Sequence, residues 1–399
     1  MNVRENGCFD VIILGAGASG LMAAMQAAFR GRKVLVIEHA TKAGQKMLVS
    51  GGRKCNITNR RIAVTDYYGA NPSFCKYAIK RFTTASILQL LREANIETEE
   101  REHGRIFCKK GANEIVSYLI EKNIQAGVHF AMDTSIFEVK RQNHVFSVIC
   151  CDSNGQRMFE SEHLLVATGG LAWPQIGASS IGYCIAKQFG HTILPLKPAL
   201  TGYVLPHSSS LHHLQGISLD VKMQVVDKKL VIEEPLLFTH QGISGPATLQ
   251  TSCFWEKGET IIIDFLPSED LTARMQSPEN GKLQTKNLIS QFLPDRLVQA
   301  LIPEQFLLRK VAELSKKERK IIADAVHRYP VLPEAPEDFT KAEVTSGGVS
   351  TSELDSHTMK SRIVKGLYFS GEVIDITGKL GGYNIHWAFA SGTIAGQNI

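Results

Sequence analysis

Residues 9–40 read FDVIILGAGASGLMAAMQAAFRGRKVLVIEHA, and the fold turns on this stretch. Val11 to Leu14 form a short unbroken apolar run, as expected of a strand buried on both faces. Leu21, Ala24, Met25 and Ala28 then recur at helical spacing, Gly31 closes the helix, and Val34 to Ile37 resume as a strand. The pattern is that of a βαβ unit. Gly15, Gly17 and Gly20 occupy its strand-to-helix turn, within G-A-G-A-S-G. Gly15 permits the tight turn, Gly17 lets the backbone approach a pyrophosphate, and Gly20 lets the helix pack closely on the strand. The helix N-terminus then faces the phosphate charge. Glu38 ends the second strand, where a carboxylate can accept hydrogen bonds from a ribose. A lone G-x-G-x-x-G carries little weight, but set in a complete βαβ unit with the terminal acid it predicts a dinucleotide site.

A chain of 399 residues is long for one compact core, so two or three domains are expected. Hydrophobic residues at 44% and charged residues at 21% are ordinary for a globular protein. The start, MNVRENGCFD, is polar and has no signal-peptide hydrophobic region, so a cytoplasmic location is expected. The most apolar stretch, Val11 to Phe29, is broken by glycines and is a poor membrane span. Eight cysteines, at 8, 55, 75, 108, 150, 151, 184 and 253, show no C-x-x-C and no Cys/His pairing at metal-ligand spacing. They read as free thiols, and no metal site is expected. The net charge of +5 is uneven. Residues 30–61 hold nine Lys/Arg against the single acid Glu38, and residues 282–328 hold ten against five acids. Such stretches read either as solvated faces and a phosphate loop or as a groove for a polyanion.

Residues 84–94 and 112–124 have helical patterns, and 128–166 alternates as several strands. After Pro195 the texture changes to strand-like pieces separated by Pro, Gly and His-Ser clusters, and 283–329 is helical, with SKKERKIIADAV as its clearest amphipathic segment. GLYFSGEV then restores the buried-strand pattern and GYNIHWAFASGTIAG a small-residue helix. The expectation is an α/β nucleotide-binding domain over 1–195 and 337–399, interrupted by a β-rich module at 196–267 and a helical module at 268–336.

The dinucleotide fingerprint occurs once, so no second Rossmann module serves NADH or NADPH. Thr168, Gly169 and Gly170 follow the strand HLLV, in a turn that suits close approach to a cofactor. Gly371 and Glu372 follow GLYFS, where a carboxylate can bind ribityl or ribose hydroxyls. The helix opening near Gly382, Tyr383 and Asn384 directs its positive dipole at developing negative charge, which suits a reduced flavin. The order of these elements is that of an FAD-binding flavoprotein.

VIILGAGASGLMAA, GQKMLVSGGRKCNITN, ATGGLAWPQIG, LLFTHQGISGPATLQ, KAEVTSGGVSTSELDSHTMKS and GLYFSGEVIDITGKLGGYNIHWAFASG resemble, in order, the YhiN-type flavoproteins, a family that includes BaiN and is often labelled aminoacetone-oxidase-like. The resemblance spans essentially the whole chain. It implies a glutathione-reductase-like FAD domain with an inserted β-barrel-like module and a small helical module. It also implies FAD contacts from Gly15, Ala16, Gly17, Ala18, Ser19, Gly20, Glu38, His39, Lys46, Ser50, Gly51, Gly52, Cys55, Asn56, Ile136, Thr168, Gly169, Gly170, Gly371, Glu372, Gly382, Tyr383 and Asn384. Two departures stand out. The loop reads GGRKCN where GGGRCN is usual, and lysine cannot make the bidentate contact of an arginine. GASSIGY lacks the acid of the common GSTGDGY form, and with Cys108 in GRIFCKK it looks more like the proteobacterial YhiN branch.

The family resemblance implies one of three activities: reduction of a conjugated dienone in bile acids, oxidation of a small aminoketone, or reduction of uridine to dihydrouridine in large-subunit ribosomal RNA. The branch favours the last, with NADPH or NADH as transient reductant and rRNA as partner. A small-molecule substrate and a non-catalytic RNA-binding role are the alternatives. Reducing C5=C6 of uracil requires a hydride from the flavin and a proton from an acid. Cys55 is the leading candidate acid, with Arg53 and Lys54 expected to stabilise its thiolate, though packing in the FAD loop is the competing role. His240, in THQGISGP, and Cys108 are further candidates, and Trp173 is a candidate for stacking on a flipped base.

Overall fold

The computed structural model describes residues 4–399, with side chains from Gly7 onward. Residues 1–3, where the polar start begins, lie outside the described residues. The chain forms two compact units, one running to Pro198 and resuming over Glu343–Ile399, the other Ala199–Ala342.

In the first unit, strand β1 (Arg4–Leu14) leads through the glycine turn into helix α1 (Ala18–Phe29) and strand β2 (Val34–Ile37). Val11, Ile12, Ile13 and Leu14 are fully buried, each contributing about 1.5–3 kcal/mol of apolar burial. β1 is flanked in parallel by β2 and by Gly155–Val166, and β2 pairs in turn with His129–Ala131. The Gly155–Val166 strand changes partner along its length. Gly155 to Ser161 pair antiparallel with Val145–Asp152, whereas Leu164 to Val166 pair in parallel with Leu367–Phe369. The C-terminal segment thus re-enters the sheet beside the strand that precedes the ATGG turn.

The C-terminal helix, Tyr383–Asn398, packs along α1. Its small residues make this approach feasible. An ideal Cβ on Gly392 would stand 2.3 Å from the Ser19 carbonyl, and one on Gly396 2.3 Å from that of Ala23. A three-stranded sheet of Asn56–Asn59, Arg105–Cys108 and Thr98–Arg101 adds to this unit. The sequence pattern did not show it, because these strands are only four residues long and mix charge with apolar side chains.

The second unit is a seven-stranded antiparallel sheet, ordered Tyr329–Val331, Ile261–Asp264, Ser218–Val225, Val231–Phe238, Gly242–Ser244, Tyr203–Val204, Ala335–Pro336. Val221, Met223, Phe238 and Ile263 from the strands share one core with Leu271, Leu288, Val298, Ile322 and Val326 from the helices. Strands and helices of this unit therefore stabilise each other rather than folding around separate cores.

Candidate cofactor and active site

The parallel strands end together. Gly15 N–H donates to the Ile37 carbonyl (2.8 Å), Ala167 N–H to Leu14 (2.9 Å) and Ser370 N–H to Val166 (3.1 Å). These bonds gather the glycine turn, Glu38, Thr168-Gly169-Gly170 and Gly371-Glu372 at one carboxyl edge, the place where open α/β sheets bind their ligands.

Glu38 organises one end of this edge. Its Oε2 accepts from Ala16 N–H (2.7 Å), and its Oε1 from Ala40 N–H (2.9 Å). His39 Nδ1 lies 2.9 Å from the same Oε1. Burial alone would raise this carboxyl, but the bonds from His39, Ala40 and Ala16 outweigh it and hold Glu38 below its ordinary range. Thr134 N–H donates to the Glu38 carbonyl (2.9 Å), which brings the start of the Ser135–Gln142 strand, and with it half-buried Ile136, beside the acid.

His39 is shifted upward, mainly by its bond to Glu38, with burial opposing. A raised histidine contributes stability that is complete below its unfolded value and is lost as pH rises through the folded one. His39→Asn is therefore expected to lower the melting temperature more at pH 6 than at pH 8.5. Equal losses at both values would contradict a protonated His39–Glu38 pair.

The residues present fit an FAD. Gly17 caps α1 with no side-chain hydrogen bond, and a Cβ there would meet nothing within 4 Å, leaving room where a pyrophosphate belongs. Gly15 and Gly20 are tightly enclosed instead. A Cβ on Gly20 would stand 1.9 Å from the Gly15 carbonyl oxygen, and one on Gly15 2.6 Å from that of Ala167. Ala16 and Ser19 are buried, Ala18 half-buried, and Ser19 Oγ donates to Ser370 Oγ (2.6 Å). Thr168 Oγ1 is buried without a partner among the described residues, and Gly169 at φ 75° has open space at its Cβ position. Gly169 leaves free space at this edge, whereas Thr168 Oγ1 lies against Gly182 of the Ile181–Gln188 helix.

Glu372 acts as a clamp. Its Oε2 accepts from Lys46 Nζ (2.6 Å) and its Oε1 from Thr345 N–H (2.8 Å), while Thr345 Oγ1 accepts from Leu171 and Ala172 N–H (2.8 and 3.1 Å). Three loops are tied to one carboxylate. Burial pushes the neighbouring Glu343 carboxyl up, with Lys46 opposing and Glu372 adding to it. Sequence reasoning passed over Thr345 and Glu343. The glycine pair after Thr345 was the available signal, since two residues at positive φ mark a constrained turn.

The 50–59 loop converges on the helix opening at Gly382. Gly51 and Gly52 are left-handed (φ 55° and 65°), and so are Arg53 and Cys55 (φ 70° and 52°). Non-glycine residues persist there only when surrounding contacts fix them. Ser50 Oγ donates to the Met47 carbonyl (2.8 Å), and Cys55 N–H to that of Ser50 (3.1 Å). With its amide oriented to satisfy its surroundings, Asn56 accepts from Gly382 N–H (3.2 Å). A Cβ on Gly382 would strike the Thr58 carbonyl at 2.4 Å. Asn384 bonds both N–H and carbonyl of Gly378 (2.8 and 2.9 Å), and Tyr67 O–H donates to the Tyr383 carbonyl (3.2 Å). His386 Nε2 faces the Phe82 carbonyl (3.0 Å) and must carry the proton, so Nδ1 accepts from Thr58 Oγ1 (2.8 Å). Burial pushes this imidazole down to about 4, so it is a neutral strut.

The surroundings of Cys55 differ from those expected in one respect. Cys55 is fully buried and its thiol is driven far upward, first by desolvation and then by Cys108, with only the Ser50 hydroxyl opposing. Arg53 and Lys54 do not stabilise a thiolate. Arg53 is exposed, and Lys54 pairs with Glu99 (3.3 Å). Cys108 is buried as well and is pushed up to about 12 by desolvation and Glu114. Both are neutral thiols at neutral pH. His240 belongs to the second unit, exposed in a turn closed by Thr239 N–H on the Gly242 carbonyl (2.8 Å) and Gly242 N–H on Thr239 Oγ1 (3.1 Å). Trp173 is half-buried at φ 69°, capping the Pro174–Ile176 turn. No group of three or more potential metal ligands occurs among the described residues.

Fold and carboxyl edge together define an FAD-binding oxidoreductase. The family described as HI0933-like protein Rossmann domain matches residues 9–398, and the chain belongs to that family. It is 38% identical to the ribosomal RNA dihydrouridine synthase of Escherichia coli (strain K12), over 98% of both chains. It is 27% identical to the 3-dehydro-bile acid delta(4,6)-reductase of Clostridium scindens, over 96% of this chain and 97% of the relative. Among solved structures, the 3-ketosteroid-delta4-(5alpha)-dehydrogenase from Rhodococcus jostii RHA1 shares the fold (TM-score 0.51, 13% identity), with 99% of this chain and 97% of that chain covered.

Proposed function

We propose that this protein reduces uridine to dihydrouridine in large-subunit ribosomal RNA, with NADPH or NADH as the source of electrons. The observation that carries this reading is the 38% identity, over 98% of both chains, to the E. coli ribosomal RNA dihydrouridine synthase. FAD, when bound, supplies the hydride for the C5=C6 bond. The chain's own residues do the rest. Glu38 and the α1 N-terminus hold the dinucleotide's ribose and phosphates, Ser50 to Asn56 shape the loop around it, and the C-terminal helix directs its positive end at the reduced ring. Lys46, Glu372 and Thr345 keep the glycine turn at Gly170 in register. The absence of a second fingerprint in the sequence fits a nicotinamide that binds and leaves.

The second half of the reaction is a proton delivered to carbon. His240 is our candidate donor, since histidine is the side chain used most often for this task and this one is open to solvent. Cys55 and Cys108, as neutral buried thiols, serve as packing beneath the flavin loop. The target base must leave its stack, and the flanking phosphates require cations. The C. scindens relative supports a second reading, reduction of a conjugated enone in a small molecule. Deleting the gene and digesting the large-subunit rRNA to nucleosides separates the two. Dihydrouridine is expected to disappear and to return with the wild-type gene, whereas an unchanged content would refute the RNA reading.

A further inference from the structure

Both basic stretches neutralise part of their charge within the fold. In the 30–61 stretch, Lys46 is engaged by Glu372, Lys54 by Glu99 and Arg60 by Glu100, and Arg32 donates to the Ile399 carbonyl (3.0 Å). The 282–328 stretch also neutralises part of its charge. Arg309 pairs with Glu318 (2.6 Å), Lys286 with Asp295 (3.6 Å), and Arg319 donates to the Val311 carbonyl (3.1 Å). Of the cations that remain, Lys282 and Lys310 lie elsewhere, while Lys316, Lys317 and Lys320 share one helix, Lys316–His327. Ile322, Ala323 and Val326 bury its inner face, while Lys316, Lys317, Lys320 and Ile321 are exposed, and Arg328 follows at its end. None of these four cations forms an ion pair among the described residues.

This arrangement works against the helix that bears it. Lys316 and Lys317 occupy the first turn, where the macrodipole disfavours positive charge. Lys320 is four residues from Lys316 and three from Lys317, so the like charges face each other. Of the two acids near them, Glu318 is committed to Arg309 and to the Ser315 cap, and exposed Asp324, four residues beyond Lys320, forms no ion pair among the described residues. A surface that breaks local rules with no compensating contact in its own fold is expected to have one outside it.

We propose that the exposed face of the Lys316–His327 helix docks the phosphodiester backbone of RNA. Lys316, Lys317, Lys320 and Arg328 each meet a phosphate, and Ile321 lies against the ribose surface between them. This deepens the RNA reading above and rests on it: the contacts hold the substrate strand without reading its sequence.

The test is binding of a transcribed large-subunit rRNA domain by the FAD-loaded protein over a range of salt concentrations. The comparison is with a variant carrying Lys316→Ala, Lys317→Ala and Lys320→Ala. Losing three phosphate contacts is expected to flatten the slope of log affinity against log salt by about 2, which at 0.1 M salt is a loss on the order of 100-fold. Replacing the same lysines by arginine is expected to retain binding. Because alanine removes the repulsion, the triple variant is expected to unfold at the same or a higher temperature, with full flavin content. Wild-type and triple variant binding with equal slope would overturn the docking face while leaving the RNA reading intact. Wild-type binding no tighter to RNA than to poly-glutamate would overturn both.

Discussion

Gly20→Ala is expected to yield a chain that purifies without flavin. Ordinary overpacking costs about 1–3 kcal/mol because neighbouring side chains can move aside. Here the obstacle is backbone. The new Cβ would stand 1.9 Å from the Gly15 carbonyl oxygen, and Gly15 is itself fixed by its bond to Ile37. α1 can only lift off β1, yet its far side lies against Gly392 and Gly396 of the C-terminal helix, with no slack there either. Lifting α1 moves the amides that face the pyrophosphate and breaks the Ser19–Ser370 bond. Visible flavin absorbance and the melting temperature should both fall. Gly17→Ala provides the contrast, because its Cβ meets nothing in the protein. That variant is expected to fold normally and to bind flavin more weakly, the lost room being the ligand's. A flavin-replete Gly20→Ala protein would contradict the geometry of the site.

The second large effect separates the candidate acids. His240→Ala is expected to lower dihydrouridine formation by about 10²–10⁴-fold, the usual contribution of a positioned proton donor, with flavin content unchanged. Cys55→Ala is expected to leave the rate within about tenfold and to lower stability instead, since it removes a buried side chain from a loop already held at positive φ. The buried Cys55 thiol is the reason for this ordering. Desolvation and the adjacent Cys108 keep it protonated, and neither exposed Arg53 nor Lys54, paired with Glu99, makes it a better acid. A rate that collapses in Cys55→Ala with flavin retained, and survives in His240→Ala, would reverse the assignment.

The βαβ unit was legible from residues 9–40 because strand burial, glycine turn and helix periodicity all reported the same geometry. The return of the chain into the sheet at Leu367–Phe369 was legible too, since a parallel strand buried on both faces leaves an unbroken apolar run. Long-range electrostatics was not legible. Arg53 and Lys54 immediately precede Cys55 in sequence, but Arg53 is exposed and Lys54 turns to Glu99, so adjacency misreported their environment. Lys46 and Glu372, 326 residues apart, form the clamp that holds three loops together. No local pattern could have paired them, nor shown that Thr345 caps the turn after Gly170.

RNA uridine is the proposed substrate. The most direct measurement mixes the FAD-loaded protein anaerobically with NADPH or NADH and large-subunit rRNA from a deletion strain, then quantifies nucleosides by mass spectrometry. NAD(P)H-dependent bleaching of the flavin is expected, with recovery of its colour on adding RNA and dihydrouridine formed in proportion to nicotinamide oxidised. A flavin that is reduced but is reoxidised only by a small conjugated enone, with no dihydrouridine in the RNA, would contradict an RNA substrate.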